Sequence, residues 1–250
     1  VIALSSTQVQ TVREAAEACE RDVRALISEI TLDRGLFDAV SAVDTKAMDA
    51  DAQRFQFKVL RDFRRAGVDK DDATRAKLRE LDAKMVKVGQ DFSRNIRDGV
   101  SKVSFTAADL EGLPADFLAN HPPEADGKIV LTTNYPDYFP VQTYAKKEAT
   151  RKALSVAFLN RGYPANQAAL LELLTLRNDY AKLLGHPSWA EYMAGDKMVG
   201  SAKAIEKFIG DITKIAKPRM DKELKELLAF KKKDDPKAKA HFLASCQGDT

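Results

Sequence analysis

The sequence predicts an all-α, mainly helical fold that carries one small β-ribbon insertion. Three observations support this fold class. Apolar residues recur at spacings of three and four over most of the 250 residues, as they do on one face of an α-helix. Residues 102–105 and 128–133 show the β-branched alternation of short strands. A hydrophobic content of 44% and a charged content of 31% are typical of a globular chain with a sizeable core.

The first hundred residues predict helical hairpins. A long amphipathic helix is expected over residues 7–33, followed by a shorter segment over 36–48 and a helix over 50–66 that Gly67 ends. The next helix, over residues 69–99, forms an antiparallel hairpin with the preceding one. Its apolar positions form a seam with almost heptad spacing: Leu78, Leu81, Met85, Val88, Phe92 and Ile96. The seam suits either a coiled-coil partner or packing within the chain, and its short length favours the second.

The middle of the chain predicts a β-ribbon and then helices. A short helix after Pro114, over residues 113–119, and a turn-rich stretch lie between the two strands. An aromatic, proline-punctuated segment from Tyr135 then leads into helices over residues 146–161 and 165–184, which Gly162 and Gly185 end. A third helix opens at Ser188, and Glu191 three residues later has the spacing of a capping box.

The last long helix is expected over residues 202–233, with Ser201 as its N-cap. Pro218 should kink or break it, because proline removes a backbone hydrogen bond inside a helix. Residues 214–239 hold ten basic and five acidic residues. This segment suits either an anionic partner or a solvated helix face, and the interleaved charges favour the solvated face. The last ten residues, HFLASCQGDT, match no pattern that we recognise.

Composition excludes several classes of protein. The net charge of +3 is small and its charges are interleaved, so no nucleic acid is expected as a partner. The longest apolar runs are far shorter than the roughly 18 residues that span a bilayer, so no membrane is expected either. Two distant cysteines, Cys19 and Cys246, are expected to stay reduced in a cytoplasmic protein, although a disulfide between them is an alternative.

A search for catalytic chemistry finds none in this sequence. A zinc peptidase needs two histidines one helical turn apart, with a glutamate beside the first to take a proton from metal-bound water. The histidines, His121, His186 and His241, are 65 and 55 residues apart, and none begins an H-E-x-x-H run. No phosphate loop, CxxC pair or nucleophile motif is present. We therefore assign no catalytic, cofactor-binding or metal-binding residue to this chain.

Several segments nevertheless have a specific residue order. NRGYPAN (residues 160–166), LLELLTLRNDYAKLLGHPSWAEY (170–192) and DKM (196–198) resemble the thimet oligopeptidase, neurolysin and oligopeptidase A family of zinc metallopeptidases. Residues 59–96 and the pair 109–119 and 129–145 are similar to family segments as well. The resemblance covers residues 7–233 and is strongest from Val59 to Met198.

The resemblance implies a fold and a role. The family's zinc motif lies downstream of the region matched here, so residues 1–250 are expected to be an N-terminal helical portion of a parent zinc oligopeptidase. Its tentative sub-units are residues 1–100 (helical hairpins), 101–145 (β-ribbon and loop link) and 146–250 (helical bundle). In the family this portion forms a wall of a deep channel that admits short peptides. Zinc, its ligands and the general base then belong to the missing C-terminal catalytic half, and the chain alone is expected to be inactive.

Two other interpretations remain open from the sequence. One is a helical binding or scaffold module without a catalytic half, and the other is a binder of anionic ligands or nucleic acid through residues 214–239. The helix over 165–184 also has apolar residues beside its main stripe, Leu170 and Leu171, so its apolar arc is wider than one contact needs. We therefore expect the isolated chain to self-associate through its helices.

Overall fold

A computed structural model describes residues 6–234 and 236–238, and the predicted fold class is confirmed in this part of the chain. It consists of α-helices, one 3-10 helix and a two-stranded antiparallel sheet. The elements in chain order are α1 (Ser6–Thr31), α2 (Arg34–Ser41), α3 (Ala50–Ala66), α4 (Asp72–Asp98), β1 (Lys102–Phe105), the 3-10 helix (Ala107–Leu110), α5 (Ala115–Ala119), β2 (Ile129–Thr132), α6 (Tyr135–Tyr144), α7 (Glu148–Leu159), α8 (Ala165–Leu183), α9 (Trp189–Ala194) and α10 (Ala202–Asp234).

The chain divides into two compact units, each built from two stretches of sequence. Unit 1 comprises Val1–Phe92 and Ala168–Ala202, and unit 2 comprises Ser93–Gln167 and Lys203–Thr250. The sub-units proposed from the sequence follow chain order instead, and they stay a prediction. Within the described residues, none of the helices combines the length and the apolar composition that a membrane crossing requires.

In unit 1 the heptad-like seam of α4 is covered by the chain itself. Leu81 and Val88 are buried in one cluster with Leu176 of α8. The antiparallel hairpin of α4 with α3 stays a prediction, and the structure shows that the seam packs on α8. The apolar residues of α8 have the same spacing of three and four, so the apolar faces of the two helices can pack together along their length. Packing within the chain is thus confirmed over a coiled-coil partner.

Two junctions in unit 1 follow the signals in the sequence. Gly67 ends α3 with a positive φ of 101°, and its N–H donates to the carbonyl oxygens of Phe63 and Arg64. Ser188 caps α9, because its Oγ accepts a hydrogen bond from the backbone N–H of Glu191. The Glu191 carboxylate contacts the next helix: its Oε2 accepts from the backbone N–H of Ala202, 2.9 Å away, at the start of α10.

The core of unit 2 lies around the β-ribbon. The antiparallel register places Val103 opposite Leu131 and Phe105 opposite Ile129. Residues from the ribbon, the 3-10 helix, α6 and α7 form one buried cluster, which contains Phe105, Leu110, Leu113, Ile129, Leu131, Val141, Ala145 and Leu154. Helices α6 and α7 thus pack on the ribbon, and this packing fixes the position of the side chains that lie between the two helices.

Two differences from the sequence analysis concern proline. The aromatic segment from Tyr135 to Tyr144, placed there in a loop link, is the helix α6. Pro136 lies in its first turn, where the missing N–H has no helical partner to lose. Likewise α10 runs on past Pro218 to Asp234, so the helix does not break at this proline, and the alternative of a kink stays a prediction. His241, Cys246 and the tail over residues 240–250 lie outside the described residues.

Candidate functional site

The histidines do not form a metal site in the part of the chain that the structure describes. His121 belongs to unit 2 and His186 to unit 1. Each has a local role: His121 stacks on Phe117, and the ring of His186 meets the edge of Tyr192 at 5.3 Å. Over residues 6–234 and 236–238, no group of three or more His, Cys, Asp or Glu side chains is placed to hold a metal ion. The described residues therefore do not fit a zinc centre.

His121 takes part in a buried polar network at the junction of β2 and α6. Its Nε2 lies 3.1 Å from Oδ1 of Asp137, a carboxylate in the first turn of α6. Oδ2 of Asp137 accepts a bond of 2.7 Å from the backbone N–H of Thr132 and one of 2.5 Å from its hydroxyl. Each polar atom of this network has a partner, which is how a buried carboxylate becomes tolerable. No pattern in the sequence indicates this network, because the three residues share no motif. The network orients α6 on the ribbon.

That orientation exposes an aromatic surface on unit 2, which we call the aromatic–arginine surface. Its members are Tyr135, Tyr138, Phe139, Phe158 and Arg161. The Tyr138 ring stacks on Phe158 at 3.9 Å, and Tyr135 stacks on Phe139 at 5.3 Å. Tyr135 and Phe139 remain 58% and 56% exposed. Tyr138 also contacts the interior of unit 2, since its hydroxyl lies 3.4 Å from Oγ of the buried Ser155.

Arg161 completes this surface with a cation. The guanidinium carbon lies 4.1 Å from the centre of the Phe158 ring and 5.7 Å from that of Tyr135. Its Nε is buried and has no hydrogen-bond partner among the described residues. A guanidinium stacked on a ring can still offer hydrogen-bond donors at its edge to a carboxylate or a peptide carbonyl. The aromatic residues of α6 were visible in the sequence. Arg161 was missed, because it follows α7 and is separated from α6 by that whole helix.

A second aromatic cluster lies inside unit 1 and is structural. The rings of Trp189 and Tyr192 in α9 lie 6.0 and 5.9 Å from the ring of Tyr180 in α8, and 5.3 Å from each other. Arg65 donates from Nη2 to the carbonyl oxygen of Tyr192 at 2.7 Å, and its cation lies over the Tyr192 ring. Burial raises the pKa of both tyrosines, most strongly that of Tyr180. Both hydroxyls therefore stay protonated, and the cluster fixes α9 on α8.

A cleft of about 440 Å³ lies between α1 and α4 in unit 1. Its lining combines apolar atoms with charged residues, some of which have partners within the chain. Arg21, for example, donates to the side chain of Gln90 at 2.8 Å. Glu80 accepts hydrogen bonds from Lys84 and Lys77, which lower the pKa of its carboxyl to about 2. Asp82 differs, because burial raises the pKa of its carboxyl while the charge of Arg24 opposes that shift.

Comparisons with known proteins decide the family. The profile of Peptidase family M3 matches residues 141–243, which include the three segments 160–166, 170–192 and 196–198 of the resemblance. Over 200 residues the chain is 31% identical to saccharolysin of Saccharomyces cerevisiae, which covers 77% of the chain. The chain belongs to peptidase family M3. The family resemblance seen in the sequence is thus confirmed.

Two further relatives support the same family, and all three relatives are much longer than the region that matches. Oligopeptidase A of Haemophilus influenzae is 29% identical over 241 residues, or 89% of this chain. A thimet-like oligopeptidase of Dictyostelium discoideum is 30% identical over 194 residues, or 76% of this chain. The matched regions are only 28%, 35% and 29% of the three relatives. The chain therefore spans about a third of the length of the M3 relatives that it matches.

Proposed function

We propose that this chain is a portion of a zinc-dependent oligopeptidase that hydrolyses short peptides in the cytoplasm. The observation that carries the proposal is the match itself. Proteins called oligopeptidases are similar to the chain over most of its length, and the chain covers about a third of theirs. The sequence contains no H-E-x-x-H run. The zinc ligands and the general base then belong to another part of the parent protein, which is the main partner of this portion.

In this proposal the chain contributes a wall of the substrate channel and no catalytic group. The parent's zinc would activate the attacking water. Within the chain, the aromatic–arginine surface is best suited to contact an extended peptide. Aromatic rings offer area to apolar side chains at a low cost in conformational entropy. The donors of Arg161 suit carbonyl or carboxylate oxygens. Such contacts bind substrate and transition state equally, so they affect KM more than kcat.

The proposal is tested by expressing the longer product of the same gene. We expect an H-E-x-x-H run downstream, stoichiometric zinc in the purified protein, and cleavage of short peptides that a chelator abolishes. In that longer protein Arg161→Ala should raise KM severalfold while kcat changes little. Arg219→Ala is the control, since Arg219 is an exposed arginine paired with Glu223 four residues along α10. A reading frame without the motif would reject the peptidase and favour a non-catalytic helical binding or scaffold module.

Self-association of the isolated chain is part of the same proposal. Leu170, Leu171 and Leu174 of α8 are exposed, beside the stripe that packs on α4. An apolar patch that the parent would cover should promote contacts between copies when it is left open. High salt should preserve this association, because charge attraction is screened and apolar burial is not. Sedimentation of the chain and of Leu171→Glu at several concentrations and salt levels is the test. A strict monomer, or a dimer that salt dissociates, would contradict it.

A further inference from the structure

The first half of α10 carries an apolar face that no described residue buries. Successive residues of an α-helix are about 100° apart, so Phe208, Ile212 and Ile215 fall on one stripe of the helix surface. Their exposed fractions are 62%, 50% and 77%. The next apolar residue, Ile209, widens the same stripe and is also exposed. All 33 residues of α10 are described, and none of them is buried.

The rest of the surface of α10 carries charges that pair with one another. Lys207 pairs with Asp211 across one turn at 2.6 Å, on the flank of the stripe. Such pairs keep a helix surface solvated and need no further partner. Farther along, Lys217 pairs with Asp221 in the same way. The stripe thus differs from the rest of the helix surface: charges pair there, and large apolar side chains are left without cover on the stripe.

A helix of this kind needs a permanent partner. Most of the stability of a protein helix comes from packing of its apolar face, and isolated helices in water are marginal. Phe208, Ile212 and Ile215 are also uncharged. The stripe therefore has no charged group that could recognise a polar ligand or an extended peptide. A covalently attached partner is always present at high effective concentration, whereas a separate protein is not.

The family match indicates where that partner is encoded. The M3 profile matches residues 141–243 and so includes the whole of α10, which makes the helix a segment shared by the family. The matched region is 28% and 29% of two of the relatives, so each relative is more than three times as long as this region. We propose that the stripe of Phe208, Ile212 and Ile215 is the surface on which the remainder of the parent protein packs. This inference rests on the proposed function only in treating the chain as a portion of a longer protein.

A pair of matched variants tests the inference. Ile212→Asp places a carboxylate in the stripe, and Thr213→Asp places the same group one position along, turned by about 100°. Both positions start from a β-branched residue, so the change in helix propensity is similar. In the longer protein we expect Ile212→Asp to lower Tm by at least about 5 °C and Thr213→Asp by about 1 °C or less, because only the first buries an unpaired charge. In the 250-residue chain both variants should match the parent chain. Equal effects of the two variants in the longer protein would overturn the inference.

Hydrogen exchange on the unmutated proteins covers the case in which Ile212→Asp does not fold. Amides of residues 205–216 should exchange at least about tenfold more slowly in the longer protein than in the chain, while amides of residues 81–88 in α4 change little. Unchanged exchange at 205–216, or slowing that appears in the chain itself as its concentration rises, would contradict the assignment, the latter by pointing to a second copy. Zinc content and hydrolysis of the same longer protein judge the proposed function separately. A covered stripe in a zinc-free, inactive protein would keep this inference and reject the peptidase.

Discussion

Helices α4 and α10 are the two longest helices of the described residues, and they differ in what covers them. The 27 residues of α4 include four buried side chains, among them Leu81 and Val88. The 33 residues of α10 include none. Both helices show apolar residues at spacings of three and four, so the pattern alone does not distinguish them. The spacing predicts a helix with an apolar face, and a second element decides whether that face is buried.

For α4 the second element is present in the chain. Its seam meets the stripe of α8, and Gln90 on another side donates from its Nε2 to the backbone oxygen of Glu17 and the carboxylate of Glu20 in α1. No described element supplies an equivalent stripe for α10. An ion pair that α10 makes outside the helix, between Lys231 and Glu148, is 3.4 Å long and lies near the far end of α10. The same substitution should therefore lower the free energy of unfolding more at a buried position of α4 than at an exposed position of α10.

The largest expected effect is the loss of a buried leucine. Leu81→Ala in α4 should lower the free energy of unfolding by about 2–5 kcal/mol, because the cluster with Leu176 cannot close the cavity completely. Leu227→Ala in α10 makes the same chemical change at an exposed position, where about 0.5 kcal/mol or less is expected. Urea denaturation of both variants measures the difference. Similar losses would show that α10 is covered in the chain after all.

A smaller effect should come from two glycines with positive φ. Ala at either Gly67 or Gly127 costs about 1–2 kcal/mol in backbone strain. At Gly67 a Cβ would also lie 2.6 Å from Cδ1 of Leu78 and 2.8 Å from Cδ2 of Leu184, whereas nothing lies within 4 Å at Gly127. Overpacking should therefore add about 1–3 kcal/mol to Gly67→Ala alone. Thermal and urea unfolding of the two variants will rank them. If Gly127→Ala costs as much, the crowding beside the α4 core is not real.

The smallest expected effect is a dependence on pH at Asp82 of α4. Burial raises the pKa of its carboxyl above the ordinary 3.8, against the charge of Arg24. The folded state then holds this proton more tightly than the unfolded state, so the stability contributed is complete below the ordinary pKa and is lost as pH rises through the folded one. Asp82→Asn should thus stabilise the chain more at about pH 7 than at about pH 3. An Asp82→Asn effect that is the same at both pH values would contradict this assignment.

The sequence predicted the local elements well, and long-range packing poorly. Helix ends at Gly67 and Gly185, the cap at Ser188 and both strands follow from short-range rules, and each is found. The packing of the α4 seam on α8 was not foreseen, because the two helices are far apart in the chain and no short-range rule connects them. The helix does not break at Pro218, since one missing N–H is tolerated in a long, solvated helix.

The candidate site was the least predictable part. Tyr135 and Phe139 were visible as an aromatic segment, but their exposure depends on how Asp137 and the ribbon orient α6. Arg161 reaches the same surface from the turn after α7, and no spacing rule connects it to residues of α6. The expectation that this chain has no metal site needed only the positions of the histidines in the sequence, and it stays a prediction. Motifs are local, and surfaces built from several elements are not.

The account as a whole depends on the catalytic zinc belonging to the part of the parent that this chain lacks. Metal analysis of the 250-residue chain, after chelator washing and reloading with zinc, tests this directly, with a peptide-hydrolysis assay on the same sample. Because His121 and His186 lie in different units and no described cluster of ligands surrounds either, we expect no stoichiometric zinc and no cleavage. One tightly held zinc per chain, together with cleavage that a chelator abolishes, would contradict the account.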